Sequence, residues 1–124
     1  SYSGEDRYFQ GGTVLPVCEY RGYHLGVQIC YDLRFPEAFQ ALSRQADLIL
    51  VPANWPGRRR EHWISLLQAR AIENQCYIAG VNCVGDMDGQ TYTGDSRLWT
   101  RWSAVQRGDI DACRCTAGRV CVYL

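Results

Sequence analysis

A chain of 124 residues, 47% of them apolar, has the size of one small domain and can bury a core, though a limited one. Its 13 basic and 13 acidic residues cancel, which excludes a general nucleic-acid binder, and no run approaches the roughly 18 apolar residues that a membrane-spanning helix requires. Every basic residue is Arg; the sequence contains no Lys.

Ser1 to Gly12 is polar and reads as a loop, followed by a β-type run over Thr13 to Tyr20 and a turn at Arg21-Gly22. Tyr23 to Cys30 reads as a strand that breaks at Tyr31-Asp32-Leu33-Arg34-Phe35. Pro36 suits the first turn of a helix running on through Leu42. Asp47 to Pro52 is nearly all apolar, as in a strand covered on both faces. A loop over Ala53 to Arg60 leads to a helix over Glu61 to Asn74, with Trp63, Leu66, Leu67, Arg70 and Ala71 spaced for one face. Gln75 to Val84 is again strand-like, Gly85 to Gly89 is a turn cluster, and Thr91 to Thr93 returns to extended chain. Strands alternating with helices predict an α/β fold.

Of the seven cysteines, Cys18, Cys30, Cys76 and Cys83 sit in apolar, strand-like runs, and an odd total argues against a secreted disulfide scaffold. A cytoplasmic, reducing setting is the expectation. Cys113, Cys115 and Cys121 have C-x-C spacing with no His nearby, a poor zinc set, so neither metal nor cofactor is expected.

Cys30 closes an apolar strand just before a tight polar turn and a helix. Such a corner lifts a side chain clear of the sheet and aims the following N–H groups at the same point. A thiol there can attack a carbonyl carbon while the Tyr31 N–H holds the developing oxyanion. Composition alone favours the plainer role of a Cys that fills core space, because buried Cys usually packs rather than reacts.

The string VQICYDLRFPE over residues 27–37 resembles the nucleophile segment of the nitrilase, or carbon–nitrogen hydrolase, superfamily. Three more matches follow in order: DLILVPANWP from Asp47, QARAIEN from Gln68, and GDSR from Gly94. Their wording is most similar to the omega-amidase branch. The resemblance implies an αββα sandwich, only part of which this chain supplies, and a Glu–Lys–Cys triad with Cys30 as nucleophile. It also implies a small-molecule amide substrate and a homo-oligomeric parent. Glu5 stands where a second, supporting Glu belongs. Asn54 and Trp55 would line the acyl pocket, although a loop Asn and a buried Trp are also ordinary structural choices. Arg34 could grip a substrate carboxylate through a bidentate fork or pair with Glu37. Arg70 and Glu73, three apart on a helix, suit an ion pair, and Arg58 to Arg60 a solvated surface. The triad Lys and Glu are expected before Ser1, which makes this chain inactive alone and leaves one sheet face uncovered.

Residues 1–97 therefore read as a partial hydrolase domain and 98–124 as an atypical tail without helix or strand period. A change of reading frame would produce such a tail. Read two bases along, the codons for Trp99 to Trp102 permit Asp-Pro-Leu, although the next gives Val or Glu rather than Gly. The alternative is a genuine C-terminus holding a metal through Cys113, Cys115 and Cys121.

Overall fold

The computed structural model describes residues 7–100. The strands are β1 (Val17–Tyr20), β2 (Tyr23–Val27), β3 (Leu48–Ala53), β4 (Tyr77–Asn82), β5 (Val84–Met87), β6 (Gln90–Thr93) and β7 (Arg97–Trp99). The helices are α1 (Pro36–Leu42) and α2 (Arg60–Asn74), each preceded by a 3-10 turn, Cys30–Arg34 and Gly57–Arg59 respectively.

β2, β3 and β4 are parallel neighbours, with β1 antiparallel at one edge and β7 antiparallel at the other. Parallel strands need crossovers, and α1 and α2 supply them. Because the strands advance in one direction, right-handed crossovers put both helices on the same face. There Phe39 and Leu42 of α1 and Trp63 and Leu67 of α2 meet Ile49, Val51 and Ile78, all essentially sealed from solvent. Glycine makes this approach possible at Gly80, where an added Cβ would lie 2.8 Å from the Trp63 ring and nearer still to Leu67.

The opposite face has no such cover among the described residues. Leu25, Val27, Leu48, Leu50, Pro52 and Leu98 line an open apolar hollow of about 1080 Å³. One sheet with helices on one side amounts to half of the expected four-layer sandwich. A sheet buried on one face only is unusual for parallel strands.

Several boundaries differ from expectation. β2 stops at Val27, because Ile29 and Asp32 bond to each other rather than to a neighbouring strand. The predicted turn Gly85–Gly89 is mostly strand: β5 runs to Met87, and only Asp88-Gly89, both at positive φ, turns the hairpin into β6. Leu98 and Trp99, assigned to the tail, pair with Ala79 and Ile78. From residue 101 the tail, with Cys113, Cys115 and Cys121, lies outside the described residues, as does Glu5. No helix among the described residues is long and apolar enough to cross a membrane.

Cys76, 5% exposed just ahead of β4, has its thiol pushed up from 9.0 to about 11 by burial. A raised folded-state pKa means its stabilising contribution is complete below the unfolded thiol range and is lost as pH rises through the folded value. The thermal midpoint should therefore fall between pH 9 and about 11, and Cys76→Ala should flatten that fall. An equally steep fall in the variant would exclude Cys76 as its source.

Candidate active site

The carboxyl ends of the three parallel strands lie side by side, and in open α/β sheets ligands bind at such ends. Two of these ends carry segments singled out in the sequence, Cys30 after β2 and Asn54-Trp55 after β3, and the third carries Asn82-Cys83 at β4. Gln28 N–H still donates to Leu50 O at 3.0 Å, so the ladder persists one residue past β2. Ile29 N–H then donates to Asp32 Oδ2 at 2.8 Å, while Asp32 N–H donates to Ile29 O at 2.9 Å. This reciprocal pair reverses the chain at once and places Cys30 at φ 46°.

A left-handed backbone at a residue with a Cβ costs on the order of 1–3 kcal/mol and persists only where its surroundings over-determine it. Here they do. Arg70, 6% exposed, donates from Nε to Leu33 O at 3.1 Å and so ties the turn to α2. Its Nη1 also reaches Glu73 Oε1 at 2.8 Å, the expected ion pair. Cys30 is half-buried and touches the edge of the core without being sealed in it.

Arg34 makes no ion pair with Glu37 among the described residues. Its guanidinium stands 4.9 Å from the Trp55 ring centroid and 5.4 Å from that of Tyr31. Aromatic faces attract the cation without occupying the guanidinium edge, which is where a carboxylate docks. Tyr31 is exposed and meets Phe35 edge-on at 5.9 Å. Trp55, 3% exposed, is a floor rather than a wall: it packs on Trp63 with centroids 5.5 Å apart, and its Nε1 donates to Arg59 O at 2.9 Å. Asn54 beside it is exposed.

Sequence reasoning passed over three residues that brace this end of the sheet. Asn82 bonds to Trp55 and Gly94 from inside the protein. Asp95, at φ 58°, takes both Arg60 Nε and Nη2 at 2.8 Å, and its carbonyl accepts from Trp63 Nε1 at 2.9 Å. Arg60, with 41% of its side chain exposed, is at the surface as expected but is held there by Asp95, which pushes its pKa further up. Cys83 is the third: its N–H donates to Ala53 O at 3.1 Å. Burial pushes its thiol up. Asn82 and Cys83 were legible only as the end of a strand, and Asp95 as part of a turn motif.

The large hollow on the bare sheet face does not include Cys30 and is distinct from this site. Among the described residues no group of three His, Cys, Asp or Glu could hold a metal ion.

The model of the carbon–nitrogen hydrolase family matches residues 2–108. An omega-amidase, YafV, of Yersinia enterocolitica is 48% identical over 105 residues, which are 84% of this chain and 41% of that protein. A 2-oxoglutaramate amidase of Bacillus subtilis is 38% identical over 102 residues, 82% of this chain and 39% of the other. XC1258 of Xanthomonas campestris, a CN-hydrolase superfamily protein solved with an arsenic adduct in its active site, superposes with a TM-score of 0.70. It is 39% identical, with 78% of this chain and 40% of that chain covered. A Nesterenkonia amidase, solved with an acetamide moiety on its active-site cysteine, gives a TM-score of 0.70 at 34% identity, covering 76% of this chain and 36% of that one. The chain spans about two fifths of the length of the relatives it matches.

Proposed function

The chain belongs to the carbon–nitrogen hydrolase family, and from that premise we propose that it carries the nucleophile side of an omega-amidase site, with Cys30 as nucleophile. The observation that carries the reading is the left-handed backbone of Cys30, held half-exposed at the end of a parallel strand. Cys30 Sγ, as thiolate, attacks the amide carbon of a small dicarboxylate monoamide. The oxyanion of the tetrahedral adduct is held by the Tyr31 N–H and by an ammonium. The C–N bond breaks, a glutamic acid gives the departing nitrogen its proton, and ammonia leaves behind a thioester. Water, giving up a proton to the same glutamate, then cleaves the thioester and restores Cys30.

The ammonium is a Lys in the family, and this chain has none. Arg does not replace it, because a guanidinium is broad, planar and effectively never deprotonated. The triad Lys therefore comes from outside these residues, the family resemblance puts the triad Glu outside them as well, the isolated chain is inactive, and Glu5 supports the network rather than leading it. The amidase names of relatives such as YafV support the branch. Arg34 is the group that receives the second carboxylate of the substrate, with Asn54 beside it and Trp55 beneath.

The test uses an enzyme of full family length containing these residues. Charge-assisted hydrogen bonds contribute about 1.5–3 kcal/mol, so Arg34→Ala should raise KM for succinamate by about 10- to 100-fold. For butyramide, uncharged and of the same chain length, it should change KM by less than about threefold, the factor that ~0.6 kcal/mol represents. Equal losses on both would refute carboxylate recognition and favour a branch that acts on neutral or carbamoyl amides.

A further inference from the structure

The Asn82 side chain has almost every hydrogen-bonding position filled inside the protein. It is 7% exposed at the end of β4. Its Oδ1 accepts from Trp55 N–H at 2.6 Å, and its Nδ2 donates to Trp55 O at 3.1 Å and to Gly94 O at 2.9 Å. Its backbone is held as well, the N–H donating to Ser96 Oγ at 3.0 Å. One amide thus bonds both backbone groups of a residue 27 positions away and joins that loop to the turn before β7.

What it bonds is the floor under Arg34. The guanidinium sits 4.9 Å from the Trp55 ring centroid, and among the described residues no carboxylate holds it in place. Its position therefore depends on where the ring is, and the ring is set from two sides. Packing on Trp63 and the Nε1–Arg59 bond hold the indole, and Asn82 holds its backbone. Position matters at such a site, because a guanidinium displaced by about 1 Å loses the two-pronged match to a carboxylate.

We propose that Asn82 is a positioning residue for substrate selection: without touching substrate, it fixes the Trp55 shelf and so aims Arg34 at the distal carboxylate. The inference rests on the reading of Arg34 given above. It requires that loss of Asn82 be felt in the preference for charged over uncharged amides, not in the chemistry at Cys30. Ala at this position would leave Trp55 N–H, Trp55 O and Gly94 O without their buried partner. Ser would keep one donor and acceptor on a shorter arm.

The experiment compares Arg34→Ala, Asn82→Ala, Asn82→Ser and the double variant Arg34→Ala/Asn82→Ala in the full-length enzyme, on succinamate and butyramide, with the thermal midpoint of each. Asn82→Ala should raise KM for succinamate about tenfold or more, ~1.4 kcal/mol, and leave kcat on butyramide within about threefold. The double variant should be no worse on succinamate than Arg34→Ala alone, since two residues acting through one contact do not add. Should Asn82→Ala fail to fold, Asn82→Ser is read in its place. Equal losses on both amides, or additive effects in the double variant, would overturn the proposal while Arg34→Ala keeps its selectivity. An Arg34→Ala without selectivity would instead defeat the reading of Arg34 itself.

Discussion

Cys30→Ala in the full-length enzyme is expected to lower amide hydrolysis by at least about 10³-fold, the scale on which loss of a nucleophile acts. Electrophiles that mimic an amide should no longer become attached at this position. The fold should survive, because Cys30 only grazes the core. A second comparison isolates the backbone. Gly is ordinarily less favourable than Ala, but at φ 46° an L-residue is strained by about 1 kcal/mol or more. Cys30→Gly should therefore be as inactive as Cys30→Ala and yet more stable. Ammonia release above about one per cent of wild type in either variant would remove Cys30 from the nucleophile role. A Gly variant less stable than the Ala variant would mean that the corner is not strained.

The largest structural effect should come from Trp63→Ala. Trp63 is essentially sealed between α2 and the sheet, packs against Trp55, and donates from Nε1 to Asp95 O. Truncating a buried Trp costs about 3–5 kcal/mol through lost transfer energy and the cavity left behind. A domain is stable by only about 5–15 kcal/mol in all. The loss of a partner for the Asp95 carbonyl adds to the cost and loosens the turn that Arg60 grips. Urea denaturation of the full-length enzyme measures the effect. Trp63→Phe should fall in between, since it keeps the ring and drops the N–H. A loss below about 1 kcal/mol for Trp63→Ala would show that helix and sheet can close over the gap.

The order of strands and helices was readable in the sequence because the elements are bounded by local chemistry. Pro36 starts α1, Arg21-Gly22 turns a hairpin with both residues at positive φ, and the apolar run after Asp47 is β3. The ends were less readable. Nothing in a row of apolar residues says that Asp32 will cap Ile29 and stop β2 at Val27. Cys30 stood out in the sequence through its local string and its place before a turn, and the structure puts it at the end of a parallel strand. Asn82 and Asp95 were missed for the opposite reason, since their partners Trp55 and Arg60 are 27 and 35 positions away. Arg60 likewise read only as one of three surface arginines until Asp95 was placed opposite it.

The spacing of these contacts along the chain bears on the order in which the molecule can assemble. The β1–β2 hairpin joins near neighbours, Tyr20 to Tyr23 and Val17 to Gly26, and such hairpins close in about 1–10 μs. Pairing β3 with β4 brings Leu48 to Tyr77, with the whole of α2 between them, and loop closure of that length slows the search. The bonds that brace the end of the sheet span comparable separations, 27 positions from Asn82 back to Trp55 and 35 from Asp95 back to Arg60. Cys30 thus emerges before Asn82 and Asp95, beside a quickly formed hairpin. The shelf under Arg34 waits until Asp95 has been made and docked, so Cys30 is present well before the contacts that brace its end of the sheet are complete.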